Sequence, residues 1–440
     1  AQDLSVDRSG FDSSMAEQKA AARAAWKGSG EKASDEIWFD IAEEFGGTEF
    51  TGYVSEEGDG QLLAIVKDGQ RTDAAAAGDE VVLITNQTPF YGESGGQMGD
   101  AGTITGDDGL EIAVEDTAKP LGRLHAHRGR ILSGSVKVGA ALHLSVDGER
   151  RSRIRANHSA THLLHAALRN RLGGHVTQKG SLVAADRLRF DFSHPKALTP
   201  EDIAAVEAEV NRHIRENEEV TTRLMTPDAA IEAGAMALFG EKYGDEVRVV
   251  SMGTGIEGSK AGKAYSIELC GGTHVASTGE IGIVRVLGES AVGSGVRRIE
   301  AVTGEGARAY LSEQDERVKA LSSVLKVQPS ELLPRVEALM EERKKLEKEL
   351  ADARRKLAMG GAQGGGAADV RDVAGVKYLG KAVSGVDAKD LKGLVDEAKT
   401  GLGSGVVLLI AVSEDGKSFT DIGTHEFKQL AAEKFTYSPS

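Results

Sequence analysis

The sequence predicts an α+β protein in several parts: a small β-barrel-like domain, an α+β core, a long helical or coiled-coil arm, and a small α/β module at its C-terminal end. Three observations carry that expectation. The chain has 440 residues, too many for one typical domain. Short alternating apolar runs fill residues 44–150, and helices mixed with strands follow them. A heptad seam and a glycine-rich stretch then set off residues 361–440.

Residues 1–43 read as helical, with SSMAEQKAAARAAWKG ending at Gly28, and carry too little apolar surface to close a core alone. They look like the helical end of a preceding region. Residues 44–150 contain LLAIV, EVVLIT and LEIAV separated by the turn stretches EGDG, KDGQ and GDDG, the pattern of a small antiparallel barrel. Residues 151–305 mix a histidine-bearing helix, a second helix from Pro200 to about Asn217, and strands such as VRVVSM and IGIVRVL. In residues 306–360, Leu332, Val336, Leu339, Arg343, Leu346, Leu350, Ala353 and Leu357 alternate spacings of four and three. That seam reads first as one helix of a hairpin and second as an intermolecular coil, which would make a homo-oligomer through the C-terminal region. MGGAQGGGAADV breaks the helix as a flexible linker. VKYLG, AKDLKGLVDEAKT and GVVLLIAV then supply strand, helix and strand for the α/β module of residues 361–440.

Composition excludes several classes. Cys270 is the single cysteine, so no intrachain disulfide exists. No run of eighteen apolar residues occurs, and AQDLSVDRSG has no apolar signal core, so a cytoplasmic location without a membrane span is expected. The net charge is −15, yet Arg150 to Phe190 holds nine basic residues and one acid, Asp186. A basic zone on an acidic chain is what a phosphate-bearing partner needs, although a solvated face is the plainer account.

The chemistry starts from NHSATHLLHAAL, residues 157–168. His158 and His162 stand four apart, so both converge on one side of a helix. His165 lies seven residues beyond His158, about 10.5 Å along the axis, too far to share one metal ion with it. In IELCGGTHV, residues 267–275, Cys270 and His274 repeat the spacing of four on a Gly-Gly turn after a strand. Two ligands from a helix and two from a turn suit tetrahedral Zn²⁺. No Glu separates the paired histidines, which argues against a metalloprotease helix. GTGIEGSKAGK has the glycines of a phosphate loop, but Ser259 stands where its lysine belongs.

NHSATHLLHAALRNRLGGHVTQKGSLV followed by CGGTHV resembles the editing domain of the alanyl-tRNA synthetase family, whose relatives include free-standing alanyl-tRNA editing proteins. WKGSG, PFYGESGGQMGD, ALFGEKYGDEVRVV and GVRRIEAVTG resemble family segments in the same order, covering about residues 10 to 360. The resemblance implies that residues 1–43 close a tRNA-recognition region and that His158, His162, Cys270 and His274 hold zinc, with His165 outside the ligand set. It implies that Thr161 and Gln178 line the editing pocket as its catalytic-site residues. Thr161 has an alternative, a hydroxyl bonded back to helix carbonyls. ESGGQ, with Gly92, Gly95, Gly96 and Gly99 around it, resembles a loop that the family places against the editing core, and a hairpin turn is its alternative. Arg151, Arg153, Arg155, Arg297 and Arg298 would meet phosphates of the tRNA acceptor end, with ion pairs to nearby acids as the alternative.

The implied activity is removal of Ser or Gly from mischarged tRNA(Ala), in a protein that ligates alanine to tRNA(Ala) with ATP. An alanine-activating pocket cannot exclude glycine and rejects serine poorly, so errors are removed in a second site. Whether zinc polarises the ester, activates water or holds the substrate's amino group stays open. The chain begins beyond the family's aminoacylation domain, so it is expected not to activate alanine on its own. GTHEFKQLAAEKFTYSPS departs from the glycine-rich tail of the family. A non-catalytic tRNA-binding module with structural zinc is the main alternative, and an oligomerisation scaffold supported by the heptad seam alone comes after it.

Overall fold

The structure is a computed structural model, and it describes residues 32–236, 245–255, 262–360, 370–384, 388–412 and 418–425. WKGSG, most of GTGIEGSKAGK, the glycine-rich linker and most of the atypical C-terminal stretch lie outside the described residues, as does the first part of ALFGEKYGDEVRVV. Contacts divide the chain into two units, residues 1–314 and 315–440.

In the first unit, helix α1 (Lys32–Phe45) is followed by six strands that close on themselves: β1 (Glu57–Lys67), β2 (Glu80–Thr85), β3 (Gly102–Gly106), β4 (Glu111–Ala118), β5 (Ala126–Ser133) and β6 (Ala141–Val146). Their order is β6-β3-β4-β5-β2-β1, and β1 pairs back onto β6, Gln61 opposite Ala141. Closure leaves this ring no free edge. The alternation read in the sequence fills the interior with Leu62, Leu83, Ile104, Ile112, Ile131 and Leu144. Ile41 and Ala42 of α1 cover the opposite faces of Ala64, Val66 and Ile84.

Helix α2 (Gly148–Leu172) leaves the barrel directly after β6. Asp147 caps it, its carboxylate accepting from the Arg150 amide at 2.9 Å, and Gly173 ends it at φ 116°. Nearly every residue from Ala156 to Leu168 is buried, including the three histidines. One side of α2 meets an antiparallel sheet, β7 (Gln178–Val183), β8 (Leu188–Ser193), β12 (Val284–Gly293) and β13 (Val296–Thr303), ordered β7-β8-β13-β12. Another meets α3 (Pro200–Glu216), which opens on a Thr199/Asp202 capping box and ends on Asn217 in the left-handed region at φ 50°. A second sheet joins β9 (Thr221–Met225), β10 (Val247–Thr254) and β11 (Ala264–Leu269). These elements share a core built on Leu163, Leu164, Phe190, Val210, Met252 and Ile299.

The division between the units falls inside helix Gly304–Leu325. The second unit continues with helix Leu332–Gly360, where Val336, Leu346 and Leu350 of the heptad seam stand exposed. It ends in a four-stranded sheet of Val370–Val373, Val376–Ser384, Gly405–Val412 and Ser418–His425, in that order. Val376–Ser384 and Gly405–Val412 run parallel, and helix Ala388–Leu402 makes the crossover between them, burying Leu391, Leu394 and Val395 against Val407 and Leu409. No helix of the described residues is long and apolar enough to cross a membrane.

Candidate metal centre

Helix α2 carries His158 and His162 on one side, and the turn after β11 brings Cys270 and His274 to them. One ligand atom from each of the four lies within 4.8 Å of the others. Cys270 Sγ is 3.4 Å from His158 Nε2 and 3.3 Å from His274 Nε2. His162 Nε2 is buried and meets no hydrogen-bond partner among the described residues. A buried imidazole nitrogen left orphaned beside a thiol and two further imidazoles is the donor arrangement that a borderline-soft cation completes.

Each imidazole is held through its other nitrogen. His158 Nδ1 lies 2.7 Å from Gln97 Oε1, His162 Nδ1 2.9 Å from Glu268 Oε2, and His274 Nδ1 3.1 Å from Ser159 Oγ. Amide oxygen and carboxylate can only accept there, so His158 and His162 carry Nδ1–H and turn Nε2 toward the cluster. Glu268 also meets His165: its Oε1 is 2.9 Å from His165 Nδ1. The three-residue step from His162 to His165 turns His165 off the cluster but keeps both rings on one carboxylate.

Gln97 belongs to the ESGGQ loop, which the barrel supplies. The loop is laced to β7 by Val183 N–H to Gly96 O at 2.7 Å and Met98 N–H to Val183 O at 3.0 Å. Gly96 has φ 86°, and a Cβ on it would stand 2.6 Å from Ser181 O. Gln97 itself is fully buried: Oε1 also accepts the Thr273 amide at 2.9 Å, and Nε2 donates to Thr273 Oγ1 at 2.9 Å. Gly272 presses closer still, since a Cβ there would lie 2.1 Å from His158 Cε1. Arg248 fixes the same turn by donating to Cys270 O at 3.0 Å and Gly272 O at 2.8 Å, with its guanidinium 4.2 Å from the centre of the Tyr53 ring. The Tyr53 hydroxyl donates to Gly271 O at 2.5 Å.

Charge follows from these contacts. Burial opposes a charge on His162, but Glu268 and Cys270 beside it overcome that and its pKa is pushed up to about 10. Burial likewise works against the Glu268 carboxylate, and the charge and hydrogen bond of His162 nevertheless hold it well below the usual carboxylate range. Cys270 is held well below the ordinary thiol range by His158, His274 and His162, which outweigh its burial. Burial pushes His274 down to about 3. Without metal, Cys270 is thus driven toward its thiolate and His162 toward its imidazolium.

A cavity of about 610 Å³ opens on the cluster. His158, His162 and Cys270 line it together with Thr161, Gln178 and His165. The Thr161 hydroxyl donates to Asn157 O at 2.8 Å, the back-bonded alternative, while its oxygen keeps lone pairs for another donor. Sequence reasoning did not assign Gln97, Glu268 or Ser159; the ESGGQ segment carried Gln97 without giving it a role, and Glu268 stands two positions before Cys270 at the end of β11.

The arginines need a correction. Arg151 is fully buried, with Nε 2.8 Å from Asp100, Nη1 3.0 Å from Gly52 O and Nη2 2.7 Å from Pro89 O. It pins α2 to the barrel and exposes no donor to solvent, where a phosphate would have to meet it. Arg155 reaches Glu56 at 2.8 Å, Arg298 grips Asp191 at 2.6 and 2.7 Å, Arg297 grips Glu289, and Arg153 pairs with Glu149 one helical turn earlier. The ion-pair alternative therefore describes these four side chains as they stand.

Comparison with known proteins gives first the class. Residues 1–150 match the model for class II (A) tRNA synthetases, and residues 247–300 match that for the threonyl and alanyl tRNA synthetase second additional domain. Relatives then narrow it. Alanine-tRNA ligase of Rhizorhabdus wittichii is 74% identical over 428 residues, 96% of this chain and 48% of that protein. Those of Sphingopyxis alaskensis and Rhizobium johnstonii are 61% and 64% identical, over 97% and 92% of this chain and 48% and 46% of theirs. The chain belongs to the alanine-tRNA ligase family, and it spans about half the length of the curated relatives it matches.

Proposed function

We propose that this chain is a zinc-dependent aminoacyl-tRNA deacylase that removes serine and glycine from mischarged tRNA(Ala), within a protein whose other half ligates alanine to tRNA(Ala) with ATP. The observation that carries the reading is the convergence of His158, His162, Cys270 and His274 on a cavity also lined by Thr161 and Gln178, in a chain of this family. Those four residues would hold the zinc, which would supply Lewis acidity at the ester where one of the four gives up its position. Gln97, Glu268 and Ser159 set the ring orientations beforehand, so the ligands do not have to reorganise. Thr161 and Gln178 bind the aminoacyl end, and a site built to hydrogen-bond the seryl side chain leaves its own polar groups unpaired when alanine enters. Of the basic segment, Lys179 at the cavity wall and Arg153, on exchanging its surface partner Glu149 for phosphate, would meet the acceptor strand.

Hydrolysis of Ser-tRNA(Ala) against Ala-tRNA(Ala), with the Cys270→Ala/His274→Ala double variant as control, tests this. Selective loss of the seryl ester that the control lacks is expected. Four protein ligands leave no open position on a tetrahedral ion, which favours structural zinc in a tRNA-binding module as the second reading. Binding of tRNA without hydrolysis at full zinc occupancy would establish that one and overturn the first.

A further inference from the structure

We propose that His165 is the specificity-determining acceptor for the side-chain hydroxyl of the substrate, an inference that rests on the deacylase reading and assigns its selectivity to a residue outside the zinc ligands. His165 is 5% exposed, and its ring borders the cavity. Nδ1 stands 2.9 Å from Glu268 Oε1, which can only accept, so the proton is on Nδ1. In the neutral ring Nε2 is then the lone-pair acceptor, and it is buried with no hydrogen-bond partner among the described residues. A nitrogen of this kind costs free energy unless something donates to it.

The position selects the donor. His165 is three residues along α2 from His162, a rise of about 4.5 Å, which is the order of the reach from an ester carbonyl to a hydroxyl two bonds past the α-carbon. Its ring packs on Phe190, with centroids 5.1 Å apart. One neutral acceptor on an aromatic wall satisfies a hydroxyl; an ammonium brings three donors and a charge that this wall does not match. Both Glu268 oxygens already receive histidine N–H groups. A seryl ester fills the acceptor, whereas glycyl and alanyl esters leave it empty.

His165→Asn tests this, because the shorter amide can still donate to Glu268 but does not reach where Nε2 ends. With matched zinc content, the ratio of Ser-tRNA(Ala) to Gly-tRNA(Ala) hydrolysis is expected to fall about tenfold. The affinity ratio for non-hydrolysable seryl and glycyl 3′-amide analogues of adenosine, measured by calorimetry, is expected to fall by a similar factor. His165→Gln, which returns a carbonyl to the Nε2 position, restores part of both ratios. Unchanged ratios overturn the proposal, whether both substrates weaken together or neither moves. Wild-type protein that hydrolyses neither ester, and binds neither analogue, instead sinks the deacylase reading, and this inference falls with it.

Discussion

Loading the cluster with metal displaces a proton, and the number displaced follows from the geometry. Only neutral imidazole and thiolate bind zinc. His274 is already neutral at pH 7 because burial lowers it to about 3, and the neighbouring imidazoles hold Cys270 well below the ordinary thiol range. His162 is not ready: Glu268 and Cys270 push it up to about 10, so at pH 7 the charged form exceeds the neutral one by about a thousandfold. Zinc must expel that proton at a penalty of about 4 kcal/mol, and apparent affinity rises about tenfold per pH unit from 7 until it levels near 10. In Glu268→Gln the main charge that raises His162 is gone. With Cys270 left as its neighbouring anion, the pKa of His162 falls and less proton is released at pH 7. Titrating the metal-free protein with Zn²⁺ by calorimetry, in buffers of different ionisation enthalpy, reads the count directly. Proton release on binding is expected for wild type, and clearly less of it for Glu268→Gln. Heats independent of buffer in wild type, or equal release by wild type and Glu268→Gln, would refute the charge assignment.

Four further outcomes follow from single contacts. Gln97→Ala removes the acceptor for His158 Nδ1 and leaves the Thr273 groups unpaired, so zinc affinity should fall about 10- to 100-fold in a chelator competition while the fold survives. Gly272→Ala drives a Cβ into His158 and should lower stability by about 1–3 kcal/mol in urea melts together with zinc content; a variant that keeps both would show that the turn yields freely. Thr161→Val should loosen discrimination between seryl and alanyl esters, read from relative hydrolysis rates, and unchanged rates would remove Thr161 from the recognition site. Arg151→Met leaves Asp100 buried without its guanidinium and should cost about 3–5 kcal/mol in denaturant unfolding, with no defect in tRNA affinity beyond that from lost folded protein.

The His/Cys cluster was legible because both pairs use local spacing: four residues on a helix, and four across a Gly-Gly turn, where pairing depends little on the rest of the fold. The α3 helix was legible for a similar reason, since Thr199, Pro200 and Asp202 announce its start and Asn217 its end. What supports the ligands was not. Gln97 reaches His158 across 61 residues and Thr273 across 176, and no periodicity links positions so far apart. The basic run misled at Arg151 because one helical face carries Arg151 and Arg155 inward, and only the closed barrel shows that Asp100 and Glu56 wait there. The heptad seam did become a helix, but seam residues such as Leu346 and Leu350 stand exposed, and the intermolecular coil remains a proposal.

The fully buried Arg151 has a consequence for cooperativity. Its guanidinium bonds to Asp100, Gly52 and Pro89 of the barrel region while its backbone belongs to the helix that carries two ligand histidines, and Gln97 closes a second link. The barrel and the cluster are therefore expected to open and close together. Metal captured at one end should slow amide hydrogen exchange in the barrel loop of residues 94–98, far along the chain from Cys270. An excised piece lacking residues 44–150 should lose the ion, because the stabilisation that zinc provides is distributed through both parts.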